Sequence, residues 1–320
     1  MRTEENKATT YVRTQDTASA LPMKGKTVLF TGASRGMGRF AAIELARRGA
    51  EILVVGHNEA RGAAAVEAIR GTGGAAEFLR ADMGDAEDVS ALAEAVLARG
   101  GSIDVLIHSA GGMPPSAVRT REGVDLGFAQ NFLGAFLLTR LLEERLLASA
   151  PARVIAVGSS THRMVKQVDL DVFLRPGKAP RTSYQKGAYQ MLSYQVAKLA
   201  VTTWIYGLAN RWAGRDVTAN VLDPGIVKGE FGEHFEGPAP IRLILTRIAP
   251  FFTAVGTERG SEQYVRLAAD PTLVNVSGRY FVSGKEKPEG SSPLSLNPVV
   301  QQRINDAAEA WAAPFLRGRG

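Results

Sequence analysis

The sequence predicts an α/β fold, a doubly wound parallel sheet with helices on both faces, and three observations carry that prediction. From Lys24 onward, short apolar runs ending in glycine or small polar residues alternate with helical segments. The first run opens directly into the turn Thr31-Gly32-Ala33-Ser34-Arg35-Gly36-Met37-Gly38. Far downstream, Tyr194 and Lys198 stand one helical turn apart. Strand-helix alternation of this kind gives a parallel sheet covered on both sides. In such sheets ligands bind beyond the carboxyl ends of the strands, where the strand order reverses.

The elements follow in order. The segment MRTEENKATTYVRTQDTASALP contains Glu4, Glu5 and Asp16 and no apolar run, so it is neither a secretory signal nor a membrane anchor. Residues 1–23 are expected to be a disordered or loosely docked tail, and 24–320 a single domain. KTVLFTG is the first strand, and RFAAIELARRGA is a helix closed by Gly49. EILVVG, helical ARGAAAVEAIRGTGG, strand AAEFLRAD, helical DAEDVSALAEAVLARGG and strand IDVLIHSAG come next. GFAQNFLGAFLLTRLLEERLL and SYQVAKLAVTTWIYGLANRW are long apolar helices, and RVIAVGSS and DVTANVLDPG are two more strands.

Composition narrows the function classes. With 320 residues, 45% hydrophobic and 22% charged, the chain has ample length to bury a core. The absence of cysteine removes disulfides, thiolate metal sites and cysteine nucleophiles, and it fits a reducing, cytoplasmic setting. His57, His108, His162 and His234 show no metal-ligand spacing, so no metal is expected. The net charge of +6 comes from 38 basic residues interspersed with 32 acidic ones, with no basic tract to hold nucleic acid.

The glycine turn sits where a dinucleotide phosphate needs it. Gly32 permits the tight turn, Gly36 lets backbone approach the pyrophosphate, and Gly38 allows close helix packing. Free N–H groups at the helix start, from Ser34 through Met37, face the anion. The Tyr194–Lys198 spacing places a phenol and an ammonium on one helix face. A cation there favours the phenolate, so the Tyr194 pKa is expected to fall from about 10 toward neutrality. Tyr184, Tyr189, Tyr206, Tyr264 and Tyr280 have no lysine at the corresponding place.

These features, with Asn131 in NFLG, Ser159 after RVIAVG and the pair Pro224-Gly225, occur in the order found in short-chain dehydrogenases/reductases, and the chain resembles that family from about Lys24 to Phe315. Within it, GVDLGFAQNFLGAFLLTRLL, VGSSTHR and the segment from SGRYFVSG onward are similar to the retinol-dehydrogenase-like group. The resemblance implies a Rossmann-type domain with about seven parallel strands, and hydride transfer between a nicotinamide and a carbonyl or alcohol carbon. It gives Tyr194 the role of general acid/base, with Ser159 bonding the substrate oxygen. It also has Lys198 holding the nicotinamide ribose and Asn131 anchoring a proton-relay water. Structural alternatives stand beside these roles: Asn131 bonding only to backbone, and Ser159 capping the strand end with Ser160 as the participant. The wider Tyr-to-Lys spacing of enoyl reductases is not met, since Ala200 and Val201 occupy those places.

Cofactor choice is read at the end of EILVVGHNEARG. NAD-selective sites place an acid there for the ribose hydroxyl. This chain has Gly56, His57 and Asn58 before Glu59, with Arg35 in the glycine turn, so NADP(H) is preferred over NAD(H). Asp82, followed by Met83, resembles the residue that reads the adenine amino group; the alternative for Asp82 is a helix N-cap. By the same resemblance Ala110, Gly111, Pro224, Gly225 and Ile226 contact the cofactor through backbone. His108-Ser109 replaces the usual Asn-Asn before Ala110-Gly111, which puts the asparagine sheet bonds in doubt, and Lys228-Gly229 replaces a threonine after Val227.

Substrate information lies in two stretches. The segment from His162 to Ala188 is expected to form a cleft wall. A lid at about 229–256, with Ile241, Leu243, Ile244, Leu245, Ile248, Phe251 and Phe252 as candidate lining, points to a bulky hydrophobic ketone, aldehyde or alcohol. Its short apolar run cannot span a bilayer, though Arg242 and Arg247 flank it as they would at a membrane surface. The apolar helices carrying Asn131 and Tyr194 either pair across a homodimer axis or are covered within one subunit. A noncatalytic NADP sensor or scaffold is the rival reading, and the joint presence of Asn131, Ser159, Tyr194 and Lys198 argues against it.

Overall fold

The computed structural model describes residues 22–116, 118–175, 177, 180–225, 234–243 and 256–317. Its first half repeats strand and helix: β1 (Thr27–Thr31), α1 (Gly36–Arg47), β2 (Glu51–Gly56), α2 (Glu59–Arg70), β3 (Ala75–Arg80), α3 (Ala86–Arg99) and β4 (Val105–His108). Then come α4 (Leu126–Phe128), α5 (Gly134–Leu141), α6 (Glu143–Ala148), β5 (Ala152–Val157), α7 (Asp171–Leu174), α8 (Ser183–Arg211) and β6 (Val217–Asp223). The described remainder holds α9 (Ala239–Leu243), α10 (Thr257–Ala269), β7 (Tyr280–Val282), β8 (Lys285–Glu286), α11 (Pro293–Leu296) and α12 (Pro298–Leu316).

The strands form one eight-stranded sheet in the order β3-β2-β1-β4-β5-β6-β7-β8. The first seven are parallel, in accord with the sequence expectation, and β8 adds a two-residue antiparallel edge. Every residue of β1, β4 and β6 is buried, as strands covered on both faces require, whereas β3 alternates at an exposed edge. The register pairs Thr31 with both Val55 and His108, which brings the carboxyl ends of β1, β2 and β4 level. The chain order reverses between β1 and β4, so the crevice opens there.

Two cores sandwich the sheet. On one face α1, α2 and α10 pack through Ala41, Leu45, Ile69 and Tyr264. On the other, α3, α5, α8 and α12 enclose an aromatic cluster of Phe128, Phe132, Phe136 and Trp204. Helix α12 lies across α8 and α5 and buries Ile304, Ala308 and Ala312. Glu309 on it meets Arg140 of α5 at 2.8 Å, so the face the sequence left for a dimer axis or an internal cover carries a helix of the same chain. Met23, at the end of the expected tail, is buried, and its amide donates to Arg48 O at 2.9 Å. Among the described residues no helix is long and apolar enough to cross a membrane.

Caps explain where the helices start. Asn58 Oδ1 accepts the Arg61 amide to open α2, and Asp85 accepts from Glu87 and Asp88 to open α3. Thr182 and Gln185 form a reciprocal capping box at α8. Helix α1 has no such side chain: Arg35 stands at its N-cap in extended conformation without a side-chain cap bond, and its first turn has no acid.

Candidate active site

The crevice is built from residues that directly follow strand ends. Thr31 Oγ1 accepts the amides of Ser109 at 3.2 Å and Ala110 at 3.3 Å, tying the end of β1 to the end of β4. Gly32 has φ +79°, and a Cβ there would lie 2.7 Å from Ala110 N; a Cβ on Gly38 would collide with Gly32 O. Gly36, at φ +54°, has no protein atom within 4 Å of where its Cβ would be. The turn is therefore closed against the sheet at Gly32 and Gly38 and open at Gly36, where the uncapped amides of α1 begin. Ser34 lies against Gly56, whose Cβ would fall 2.9 Å from Ser34 Oγ, while Met37 is half-buried and Arg35 exposed.

After β2, His57 is exposed and Asn58 uses its side-chain oxygen as the α2 cap. The first acid, Glu59, stands 4.0 Å from Arg80. After β3, Asp82 accepts the Gly84 amide at 2.8 Å, and Asp85 is the cap of α3, which removes the capping alternative for Asp82. Met83 turns its side chain into the core, and its carbonyl packs against Gly134, where a Cβ would strike it. After β4, the asparagine bonds put in doubt by His108-Ser109 are replaced by others. Buried His108 pairs its Nε2 with Thr139 Oγ1 at 2.8 Å, and Ser109 Oγ meets the Tyr264 hydroxyl at 2.8 Å. Gly111 backs onto Asn131, whose Oδ1 a Cβ would strike. After β6, Gly225 has φ +72° and donates to Asp223 Oδ1 at 2.9 Å, and Pro224 O faces Gln263. Ile226 lies outside the described residues, as do Val227, Lys228 and Gly229.

Four polar residues meet where β4, β5 and α8 converge. Asn131 sits in a wide turn, Ala129–Leu133, between α4 and α5. Its Nδ2 donates to Gly112 O at 2.8 Å and Gly127 O at 2.7 Å, and its Oδ1 accepts the Gly112 amide at 3.1 Å. Both side-chain donors are thus held by backbone, the alternative left open for this residue, with one Oδ1 lone pair remaining. Ser159 starts the short 3₁₀ turn Ser160–Met164 and hydrogen-bonds the Tyr194 phenol, while Ser160 is exposed. Lys198 is buried, donates from Nζ to Val157 O at 2.9 Å, and lies 5.5 Å from the centre of the Tyr194 ring.

The charge balance corrects the sequence expectation for Tyr194. Burial pushes its phenol above the ordinary range; Ser159 pulls the other way, and the Asp223 carboxylate opposes ionisation further. Burial lowers Lys198 to about 8, with Asp223 restoring part of its basicity. The ammonium is directed at a backbone carbonyl, and desolvation governs the phenol. Asp223 was passed over in the sequence because it reads as the last residue of a buried strand. It accepts the Tyr280 hydroxyl at 2.9 Å and acts on Tyr194, Lys198, Tyr280 and His162 together. An acid immediately before Pro224-Gly225 was the available signal.

Tyr194 also borders a small cleft lined by Met113, Pro114, Pro115, Tyr189, Gln190 and Ser193. Gln190, one turn before Tyr194, donates to Pro114 O and His234 O at 2.9 Å each and accepts the Glu236 amide at 2.8 Å. It ties both flanking loops to α8. Within the 162–188 segment, Phe173 stacks on Phe128 and contacts Tyr189 of the cleft lining, and Met164 Sδ accepts from Gln195 Nε2 at 3.4 Å, next to Tyr194. Of the candidate lid residues, Ile241 and Leu243 are exposed, and the others lie outside the described residues.

Comparison with known proteins adds the following. The short chain dehydrogenase family pattern matches residues 26–168. Mouse (Mus musculus) retinol dehydrogenase 14 is 33% identical over 301 residues, covering 90% of this chain and 86% of that protein. Human (Homo sapiens) retinol dehydrogenase 13 is 32% identical over 297 residues, with the same coverage of 90% and 86%. Among solved structures, a dehydrogenase/reductase from Sinorhizobium meliloti superposes with a TM-score of 0.61 at 25% identity, over 82% of this chain and 95% of that one. A protein from Beutenbergia cavernae, provisionally assigned as an NAD(P)-dependent gluconate 5-dehydrogenase and solved with NADP at low occupancy, does so with 0.63 at 26% identity, over 83% and 97%.

Proposed function

Since the chain belongs to the short-chain dehydrogenase/reductase family and is thereby an NAD(P)-dependent oxidoreductase, we propose that it is an NADPH-dependent carbonyl reductase of bulky hydrophobic ketones or aldehydes, with the reverse alcohol oxidation at the same site. The observation that carries the proposal is the meeting of Ser159, Tyr194 and Lys198 at the carboxyl edge of the sheet, beside the open glycine turn.

The residues fit a dinucleotide. The uncapped start of α1 and the space beside Gly36 suit a pyrophosphate, within a turn formed by Gly32, Ser34, Arg35, Gly36, Met37 and Gly38. His57, Asn58 and Arg35 would receive the ribose phosphate, with no acid to oppose it before Glu59. Asp82, the backbone of Met83, Ala110 and Gly111, and Pro224, Gly225 and Ile226 complete the cradle. When bound, NADPH supplies the hydride.

The protein's own share is a proton and an electrostatic frame. Tyr194 gives its phenolic proton to the carbonyl oxygen, and Ser159 donates a hydrogen bond to that oxygen as negative charge grows. A phenol held above its ordinary pKa is fully protonated at neutral pH, which suits an acid in the reductive direction. Lys198 would hold the nicotinamide ribose and bring positive charge to the site. Asn131 keeps the loop at Gly112 in place and offers its free Oδ1 lone pair to a relay water. Retinol, the alcohol named in the relatives, is apolar, which supports a hydrophobic substrate class. The cysteine-free composition supports a cytoplasmic setting.

The test is NADPH oxidation with a panel of hydrophobic ketones and aldehydes, comparing wild type with Tyr194→Phe. A Tyr194-dependent rate is expected. Retained NADPH binding with no Tyr194-dependent turnover of any substrate would leave a binding protein and defeat the proposal.

A further inference from the structure

Ser159 is held at both of its oxygens by the two residues Thr161 and His162. Its Oγ accepts the Thr161 amide at 3.3 Å and the Thr161 hydroxyl at 3.0 Å. A hydroxyl has two lone pairs and one hydrogen. With both lone pairs occupied, the Ser159 hydrogen is left to donate, and the neighbour it reaches is the Tyr194 phenol. The Ser159 carbonyl in turn accepts the His162 amide at 3.1 Å and approaches His162 Nδ1 at 2.6 Å. A carbonyl oxygen only accepts, so Nδ1 carries the proton and Nε2 is bare.

His162 is fully buried, and its Nε2 has no hydrogen-bond partner among the described residues. An unpaired buried acceptor is unfavourable, and a phenylalanine would fill the same space without it. What the imidazole adds is therefore its Nδ1 donor. The ring rests against Tyr280 at 5.5 Å between centres, and Tyr280 is anchored on Asp223, so the bracket is braced from β7 and β6.

We propose that Thr161 and His162 are positioning residues that fix Ser159 as an obligate hydrogen-bond donor, its one hydrogen directed at Tyr194 in the free protein and at the substrate oxygen once substrate is bound. The proposal rests on the carbonyl-reductase reading above. Neither residue touches the reacting atoms; both act through Ser159. The other titratable groups facing the phenol are Lys198 from its own helix, Asp223 from β6, Tyr280 from β7 and Tyr264 from α10; His162 itself touches Tyr280 and lies in the field of Asp223, so the Thr161 variants carry the pH readout.

Thr161→Val keeps the shape and the backbone amide but removes the hydroxyl donor. It is expected to lower kcat about tenfold with little change in KM. It should also move the alkaline limb of the reductive pH profile upward, because Ser159 donation favours the phenolate. Thr161→Ser restores the donor and should recover both. His162→Phe is expected to lose rate, and His162→Asn, whose amide nitrogen takes the place of Nδ1, to regain it. Crystal structures supply a readout independent of turnover: in Thr161→Val the Ser159 Oγ should turn away from Tyr194. Wild-type kcat and pH limb in Thr161→Val, or Ser159 Oγ still on Tyr194 in its crystal structure, would overturn the proposal. A wild type that reduces no carbonyl defeats the functional reading instead, and the crystal comparison still decides the bracket.

Discussion

Asp223 Oδ2 accepts the hydroxyl of Tyr280 at 2.9 Å, and the pair is buried at the carboxyl end of β6, within electrostatic reach of Tyr194 and Lys198. The carboxylate favours the Lys198 ammonium and disfavours the Tyr194 phenolate. Both effects raise a pKa, so removing the charge lowers both. Asp223→Asn, whose Oδ1 still accepts from Tyr280, is expected to move the alkaline limb of kcat/KM for carbonyl reduction to lower pH. The pH profile of the variant checks this, and an unmoved limb or an upward shift would show that Asp223 is merely structural.

Two glycines of the same turn should fail in different ways. Gly38→Ala drives a Cβ into Gly32 O and is expected to destabilise the fold by about 2–3 kcal/mol. Gly36→Ala meets no protein atom, so its cost is the left-handed backbone alone, about 1–2 kcal/mol, while its methyl enters the space proposed for a phosphate. Thermal melting paired with NADPH fluorescence titration separates the two. Full NADPH affinity in Gly36→Ala would place the dinucleotide elsewhere.

Coenzyme preference turns on the end of β2. His57→Asp puts a carboxylate where a ribose phosphate is expected, and should shift the NADPH:NADH ratio of kcat/KM by roughly tenfold or more toward NADH. Steady-state kinetics with both coenzymes decide it. A wild type that already prefers NADH would refute the assignment of His57, Asn58 and Arg35.

Acid stability should carry the signature of buried histidine. Desolvation pushes His108 down to about 3, and His162 is lowered for the same reason. In the unfolded chain a histidine binds its proton near pH 6.5. The stability these residues contribute is thus present above about pH 6.5 and is lost as pH falls toward the folded value, at up to about 1.4 kcal/mol per pH unit for each. Denaturant melts between pH 7 and 4 should show that slope, and His108→Gln should flatten it. An equal slope in the variant would mean that other groups dominate.

Much of this molecule is written locally. Gly32, Gly36 and Gly38 are legible because a tight turn, an open approach and close helix packing each exclude a side chain at one residue. The Tyr194–Lys198 pair is legible because one helical turn sets their spacing whatever surrounds them. The alternating strands and helices foretold a parallel sheet and its first six strands, since periodicity along the chain reports which faces are buried, while the seventh was implied by the family resemblance. Other features depended on neighbours distant in sequence. Asp82 and Asp85 both precede α3, and only the folded loop shows which one caps it. The lowering of the Tyr194 pKa, inferred from Lys198 alone, is reversed by burial and by Asp223, which arrive from other strands. The bracket on Ser159, the replacement of asparagines by His108–Thr139 and Ser109–Tyr264, and the brace from Tyr280 all join separate elements. By itself the sequence determined the glycine turn, the succession of strands and helices and the Tyr194–Lys198 spacing, because those depend on backbone conformation and short-range pattern. Tertiary structure alone decided the protonation balance and the direction of each hydrogen bond, because desolvation and charge act through space among groups that the chain keeps far apart.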